Sequence, residues 1–573
     1  MTRRIAASRG SIAGLLGLAL AGLGTACTAS GSGPADLVFR GGTVLTMDAA
    51  APRAEAVAVR GDRIAAVGSD ASMEPLVGPE TRIVDLGGQT LIPGFVDAHS
   101  HLFLDGQTGF TFVDVRPPPI GRFDDVASIQ DALRERAAKT PKGEWIIATG
   151  YDDTLLAEKR HLDRHDLDAV STEHPILVMH VSLHLAAVNS AALAYAGIDA
   201  ATPQPEGGVI RKDPETGEPT GLLEEGSAIA PFFALLGQGP IDVGMEALGR
   251  AVSRYARQGV TTAQDGAADI PTLQLLLRMD REERLPIRVV AFPLAPIALQ
   301  MIAGDLAIDF SSSPYLSLGA VKIVDDGSIQ GYTGYLSEPY FVPPGDDPDY
   351  RGFPAMSAAA LSDLVTRLYA GGFQVAIHTN GDGAIDDALA AFERAQAEHP
   401  REDDRPIFIH AQMARDDQLD RMVALGAVPS FFVLHTYYWG DRHRDVFMGP
   451  KRAARMSPTR SARDRGLHFT IHTDAPVVPM EPLRLLWSAV NRESTSGKII
   501  GEAERITPEE ALKAMTLDAA YAYFMEDEIG SIEAGKLADL VVLSDDPTAV
   551  DPETIADIQV MRTVVGGRTL FAR

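Results

Sequence analysis

The sequence predicts an α/β protein: a (β/α)8 TIM barrel, a β-sandwich formed by the N- and C-terminal segments, and an inserted capping subdomain. Three observations predict it. Short strand-like runs punctuated by glycine occur at both ends of the chain. Between them about eight apolar runs alternate with Ala/Leu-rich helical stretches, the texture of a parallel sheet with crossover helices. One connection, about 103–240, is too long for a barrel loop and carries its own strand and turn signals.

The chain opens with Arg3, Arg4 and Arg9, an apolar run from Ile12 to Leu23, and Thr25-Ala26-Cys27. Residues 1–27 resemble a lipoprotein signal peptide with Cys27 as the lipidated first mature residue. The run is too short to span a membrane comfortably. An ordinary cleaved signal is the alternative, and Gly24, where such signals usually carry an aliphatic residue, is a departure. The expectation is an exported, periplasmic or cell-envelope protein that meets a membrane only through a lipid anchor at Cys27. Sec and twin-arginine export both stay open.

A Ser/Gly/Pro linker covers 28–35. Residues 36–92 form one half of the sandwich, with runs Leu37 to Arg40, Thr43 to Thr46, Ala56 to Val59 and Arg63 to Val67. The pairs Gly41-Gly42 and Gly61-Asp62 between them read as hairpin turns. Residues 529–573 supply the other half, with Ala538 to Leu543, Thr563 to Val565 and Arg568 to Leu570. Each half is too small to bury a core alone, so the two are expected to pair. The barrel occupies 93–528. Its strand candidates are Leu91 to Asp97, Gly259 to Ala263, Ile287 to Ala291, Leu318 to Val324, Phe373 to His378, Ile407 to His410, Ala427 to Phe432 and Leu467 to Asp474. Thr507-Pro508-Glu509-Glu510 is a capping box that opens a helix to about Phe524. Within the insertion, Trp145 to Ala148 and Ile176 to His180 are strand-like.

Composition narrows the function. With 45% hydrophobic and 23% charged residues the chain is neither disordered nor a polytopic membrane protein. A net charge of -27 makes nucleic acid a poor partner. The one cysteine rules out an intramolecular disulfide and a thiolate cluster, so any metal must be held by His, Asp, Glu or a modified Lys. A small molecule is the expected partner, and the sequence leaves room for a homo-oligomer.

The chemistry-bearing residues gather at strand ends, where barrel active sites lie. In Asp97-Ala98-His99-Ser100-His101 the two imidazoles are i and i+2, so on an extended strand both face one side and can converge on one cation. His378 and His410 each close an apolar strand, and His472-Thr473-Asp474 closes another. Lys322, between Val321 and Ile323, is expected to be buried, where a lone ammonium is heavily penalised. It either pairs with a carboxylate, reaches solvent at a strand edge, or reacts as the neutral amine with CO2 to give a carbamate that can bridge two cations.

Together with Leu91-Ile92-Pro93-Gly94 before the His-x-His run, Asp326-Gly327-Ser328, Thr473-Asp474-Ala475-Pro476 and the stretch from Gly530 to Asp539, these motifs resemble the amidohydrolase superfamily. More narrowly they look like its YtcJ-like, amidohydrolase-3 branch, with Trp145 to Asp152, His184 with Asn189-Ser190, Thr216 to Gly221 and Glu338-Pro339-Tyr340 as further matches over about 36–573. The resemblance implies His99, His101 and Asp474 around one divalent metal, His378 and His410 around a second, and carboxylated Lys322 bridging. Zinc is the default, Mn or Fe would also fit, and an unmodified Lys322 implies one ion. It further implies metal-activated hydroxide attacking an amide-type C–N bond of a small molecule, with Asp474 as general acid/base.

Two departures bear on the pocket. Ser182-Leu183-His184 stands where relatives commonly have Asp-Gly-His, and His472 where they have Gly. His184, His435, His472 and Tyr332 are the substrate-binding candidates, with Tyr335 and Tyr340 as further wall residues; His161, His165 and His174 read as surface residues. The rivals are ester, lactone or carbamate hydrolysis in the same site, metal-assisted isomerisation or decarboxylation, and a catalytically silent ligand-binding lipoprotein.

Overall fold

A computed structural model describes residues 33–573 apart from 237–238 and 311–312. The signal-like segment with Cys27, and most of the linker, lie outside the described residues. The chain is an α/β protein in which the two ends meet. Leu540–Leu543 runs antiparallel to Thr90–Pro93, with Val541 opposite Ile92. This seam lies inside a six-stranded sheet in the order Arg568–Ala572, Val560–Val565, Leu540–Leu543, Thr90–Pro93, Thr43–Leu45, Arg53–Ala54. A four-stranded sheet, Arg63–Gly68, Ala56–Arg60, Leu37–Arg40, Arg82–Asp85, lies against it. Leu37, Phe39, Val57 and Val59 of the smaller sheet share a buried cluster with Leu91, Leu540, Val542 and Val564 of the larger. Period-two alternation thus gives each sheet one apolar face for the other to cover.

The Gly61-Asp62 and Gly566-Gly567 turns join hairpins, with Arg60 opposite Arg63 and Val565 opposite Arg568. Gly41-Gly42 does not. Leu37–Arg40 pairs with Ala56–Arg60 and Arg82–Asp85, whereas Thr43–Leu45 pairs with Arg53–Ala54 and Thr90–Pro93. The glycines instead carry the chain from one sheet to the other. A Cβ on Gly42 would strike Gln89 O and Leu86, so close approach, and not hairpin geometry, demands glycine there.

Between the ends lie two parallel sheets. One contains Phe95–Val96, Val260–Ala268, Arg288–Pro293 and Leu316–Leu318; the other contains Val321–Val324, Val375–Thr379, Ile407–His410, Val428–Phe431 and Thr470–Ile471. The sheets are joined on both sides. On one, Leu294, which follows Arg288–Pro293, bridges past the short edge strand to Lys322; on the other, Asp474 N–H donates to His99 O at 3.0 Å and His101 N–H donates to Ala475 O at 2.7 Å. The expected run Leu91 to Asp97 is split at Gly94, whose missing side chain admits Thr261, so its first half belongs to the terminal sheet and its second to the parallel one.

Helices between the strands bury one face on these sheets. Ile241–Arg257 turns Met245, Leu248, Val252 and Tyr255 inward, a 3.6-residue stripe. The expected helix from Pro508 to about Phe524 is two helices, Pro508–Ala514 and Leu517–Ala522, because Thr516 leaves helical geometry at φ -133° and ψ -87°. Its capping box is present.

The segment within about 103–240 forms a six-stranded sheet of its own, Val209–Lys212, Pro219–Glu224, Leu185–Val188, Ile176–His180, Ile146–Tyr151, Val113–Asp114. Its loops at Leu183-His184 and Glu225 reach a cavity at the ends of the parallel strands. Among the described residues no helix is long and apolar enough to cross a membrane.

Candidate metal centre

The parallel strands end in a cavity of about 460 Å³ whose wall includes His99, His101, His184, Lys322, His378, His410 and Asp474. Residues separated by several hundred positions meet there because each follows a neighbouring strand. His99 Nε2 and His101 Nε2 lie 3.6 and 3.4 Å from the same atom, Asp474 Oδ1, and His410 Nε2 lies 3.8 Å from Asp474 Oδ2. Asp474 Oδ1 is buried without a hydrogen-bond partner. Three donors facing one gap, with an unpartnered anionic oxygen among them, fit a divalent cation.

Ring orientations follow from the hydrogen bonds behind them. Gln264 Nε2 donates to Ala98 O (2.9 Å) and the Tyr523 hydroxyl (2.7 Å), so Gln264 Oε1 must accept from His99 Nδ1 at 2.6 Å. That leaves His99 Nε2 bare toward Asp474. A Cβ at Gly266 would overlap the His99 ring, so the glycine gives the imidazole its place. On the opposite wall, His472 sits behind His410. His410 Nδ1 is 3.1 Å from His472 Nε2, and His472 Nδ1 is 2.9 Å from Ser430 Oγ. Protons on both Nδ1 atoms complete this chain and leave His410 Nε2 free for the cavity.

His410, Ala411 and Asp474 hold φ of 70°, 41° and 57°, left-handed values that side chains other than glycine rarely adopt. The sharp turns aim the two ligand candidates inward at a local backbone cost, a pattern that clusters at functional sites.

Electrostatics favour the unprotonated forms a cation needs. Burial, then Lys322 and neighbouring imidazoles, holds His99 well below its ordinary value; burial and adjacent rings do the same for His378 and His410. Burial would raise Asp474, but His101, His472 and Lys322 keep it below the usual carboxylate value. Lys322 is 3% exposed, its Nζ 3.4 Å from His99 Nε2, and burial pulls its ammonium down to about 8. A solvent-reaching strand-edge lysine is therefore overturned.

Of the substrate-binding candidates, only His184 reaches the cavity wall. Leu183 takes φ 63°, the conformation a glycine would adopt freely, and Ser182 Oγ accepts the His184 N–H at 3.2 Å. His472 lies one layer back as described. His435, 2% exposed, packs its ring against Phe432 with centroids 4.3 Å apart, and burial holds it down to about 3. Tyr332 is turned away: its hydroxyl donates to Val342 O at 3.1 Å and its ring packs on Tyr340 and Phe447. The Tyr332 expectation fails because the chain after Ser328 folds back on itself, Gly334 N–H donating to Ser328 O. His174 is buried too, its ring bonded to Ser171 Oγ and Thr140 O.

Sequence reasoning missed Gln264, Glu225 and the partner role of Asp326. The one signal for Gln264 was a polar pair, Gln264-Asp265, inside a buried strand.

The geometry defines a candidate metal centre at the ends of parallel strands. A model of the amidohydrolase family matches residues 82–571. YtcJ of Bacillus subtilis (strain 168) is 31% identical over 558 residues, covering 94% of this chain and 99% of that protein. N-substituted formamide deformylase of Arthrobacter pascens is 30% identical over 556 residues, covering 94% and 98%. In fold, the chain resembles a crystal structure of an uncharacterized metal-dependent hydrolase from Pyrococcus horikoshii, with TM-score 0.71, 23% identity, and coverage of 90% and 99%. This chain belongs to the amidohydrolase family and is a metal-dependent hydrolase of that type.

Proposed function

We propose that this protein hydrolyses an amide-type C–N bond of a small molecule, with N-substituted formamides and small N-acyl amides as the first substrates to test. The observation that carries the reading is the pair His99 Nε2 and His101 Nε2 beside the unpartnered Asp474 Oδ1. The formamide class is supported by the relative from Arthrobacter pascens, whose name gives it that activity.

His99, His101 and Asp474 would hold a divalent cation, zinc by default, which when bound would supply a water of lowered pKa and polarisation of a carbonyl. The rest belongs to the chain. His99 and His101 supply lone pairs, and Gln264 fixes the His99 ring so that Nε2 faces the gap. Asp474 accepts a proton from the attacking water and returns it to the departing nitrogen, which otherwise leaves as a poor amide anion. Burial lowers the cost of a neutral Lys322 amine, which would add CO2, release one proton and leave a carbamate able to serve as a further ligand. Leu104, Met179, Leu183 and Leu294 on the cavity wall limit water around the reacting carbonyl.

The parallel strands are best taken as one closed (β/α)8 barrel, with Leu316–Leu318 and Val321–Val324 counted as one interrupted strand, and the bonds that join the two sheets on both sides support this. The terminal sheets form its companion β-sandwich, supported by their shared core, and the inserted sheet caps the mouth. The basic, apolar and Cys27 pattern at the start supports export and a lipid anchor in the cell envelope.

The test is turnover of a panel of N-substituted formamides, N-acyl amino acids and aryl esters, before and after metal removal verified by elemental analysis. Amide cleavage that disappears with the metal and returns on its addition is expected. Amide cleavage undiminished in verified metal-free protein would overturn the proposal.

A further inference from the structure

His184 and His378 face each other across the cavity wall with their Nε2 atoms 3.1 Å apart. His378 ends a parallel strand; His184 comes from the inserted sheet, 194 residues earlier in the chain. Behind each ring stands a carboxylate. His378 Nδ1 is 3.1 Å from Asp326 Oδ1, and His184 Nδ1 is 2.8 Å from Glu225 Oε2.

These partners fix the tautomers. Asp326 already accepts the Asn380, Gly381 and Tyr335 backbone N–H groups at 2.9, 2.7 and 3.0 Å, so it meets His378 Nδ1 as an acceptor. Glu225 meets His184 Nδ1 in the same way. With both Nδ1 atoms protonated, two neutral rings turn lone pairs toward each other at 3.1 Å, which is repulsive; the Asn380 Nδ2 amide reaches His378 Nε2 at the longer distance of 3.4 Å, and His184 Nε2 is left facing a nitrogen that has no proton to give it. A positive species between them relieves this: a proton, which Glu225 favours on His184, or a metal cation. Two nitrogens each about 2.0–2.1 Å from one tetrahedral cation stand roughly 3.3 Å apart, close to the observed spacing, and a carboxylate on the far ring nitrogen is the usual support of a ligating histidine.

The surroundings are shaped for this pair. Glu225 is 1% exposed, adopts φ 67°, and its Oε1 is buried without a partner. Gly327, next to Asp326, is where a Cβ would collide with the Glu225 carboxylate, so the two supporting acids are packed together by design of the backbone. His184 and His410 flank His378, each with ring centroids 4.6 Å from it.

We propose that His184 is a metal ligand, sharing a second divalent cation with His378 and so tying the inserted segment to the catalytic strands. This rests on the metal-dependent reading above and adds to it a ligand from outside the parallel strands.

The test is zinc and cobalt stoichiometry, with affinities measured by chelator competition, for wild type, His184→Gln and Glu225→Gln, alongside the visible spectrum of the cobalt forms. Two ions per wild-type chain are expected. His184→Gln should retain the ion at His99, His101 and Asp474 but bind the second more than about 100-fold more weakly, and lose one component of the cobalt spectrum; Glu225→Gln should weaken it by about 10–100-fold. If circular dichroism shows that His184→Gln does not fold, Glu225→Gln decides. Variants that bind the wild-type number of ions with unchanged affinities and spectrum overturn this inference alone and leave a shared proton between the rings. A wild type that binds no ion at saturating zinc or cobalt defeats the metal-dependent reading as well.

Discussion

Arg288 and Asp539 form a buried two-point ion pair, with Nε 2.8 Å from Oδ2 and Nη2 3.3 Å from Oδ1, that joins the parallel sheet to the terminal sheet. Each side chain is 3% exposed, and Asp539 also accepts the Gly566 N–H at 2.7 Å. Asp539→Ala strands a guanidinium in the interior. A loss of about 3–5 kcal/mol in urea denaturation is expected, and Arg288→Met with Asp539→Leu should be less destabilised than the single change. Equal stability of Asp539→Ala and wild type would contradict the coupling.

Gln264 does not itself line the cavity, yet through its bond to His99 it sets that ring's tautomer. Gln264→Leu should reduce affinity for the cation at His99 by about 10–100-fold while the protein stays folded. Chelator competition reads the effect directly, and excess metal should restore much of the activity.

Gly266→Ala places a methyl group against the His99 ring. Because displacement of a reacting group by about 1 Å can cost 10²-fold, kcat/KM should fall by about that factor with a smaller change in melting temperature. An alanine variant with wild-type kinetics would show that the ring can move without consequence.

Asp325 gives a pH signature in the metal-free protein. Both carboxyl oxygens are buried without partners, and burial, with Asp326 and Asp387 nearby, pushes the group up to about 8. Below about pH 4 folded and unfolded chains both hold the proton, and there is no penalty. Between about 4 and 8 the unfolded chain releases it first, so the folded state binds more protons and stability falls as pH rises, by up to roughly 1.4 kcal/mol per unit. Asp325→Asn should flatten this slope and be the more stable protein at pH 8. Parallel urea stability curves for the two proteins from pH 5 to 8 would refute the assignment.

The histidines at strand ends were legible because apolar runs such as Ile407-Phe408-Ile409 announce a buried strand, and a polar residue closing several of them marks one shared rim. Gly41-Gly42 was misread because turn chemistry reports local backbone freedom and not which strands pair. The helix break at Thr516 was hidden by an unbroken Ala/Leu texture. Gln264, Glu225 and Asp326 could not be assigned because each acts through a contact with a residue 41 to 165 positions away, set by tertiary packing. Tyr332 failed for the same reason: proximity in sequence to Lys322 does not say which way the following loop turns.

The most direct test of the central claim is anomalous diffraction from crystals soaked in zinc or cobalt and collected at the metal edge. A peak about 2.0–2.2 Å from His99 Nε2, His101 Nε2 and an Asp474 carboxylate oxygen is the predicted result. Density free of metal at that position, in crystals of protein that hydrolyses its substrate, would contradict the account.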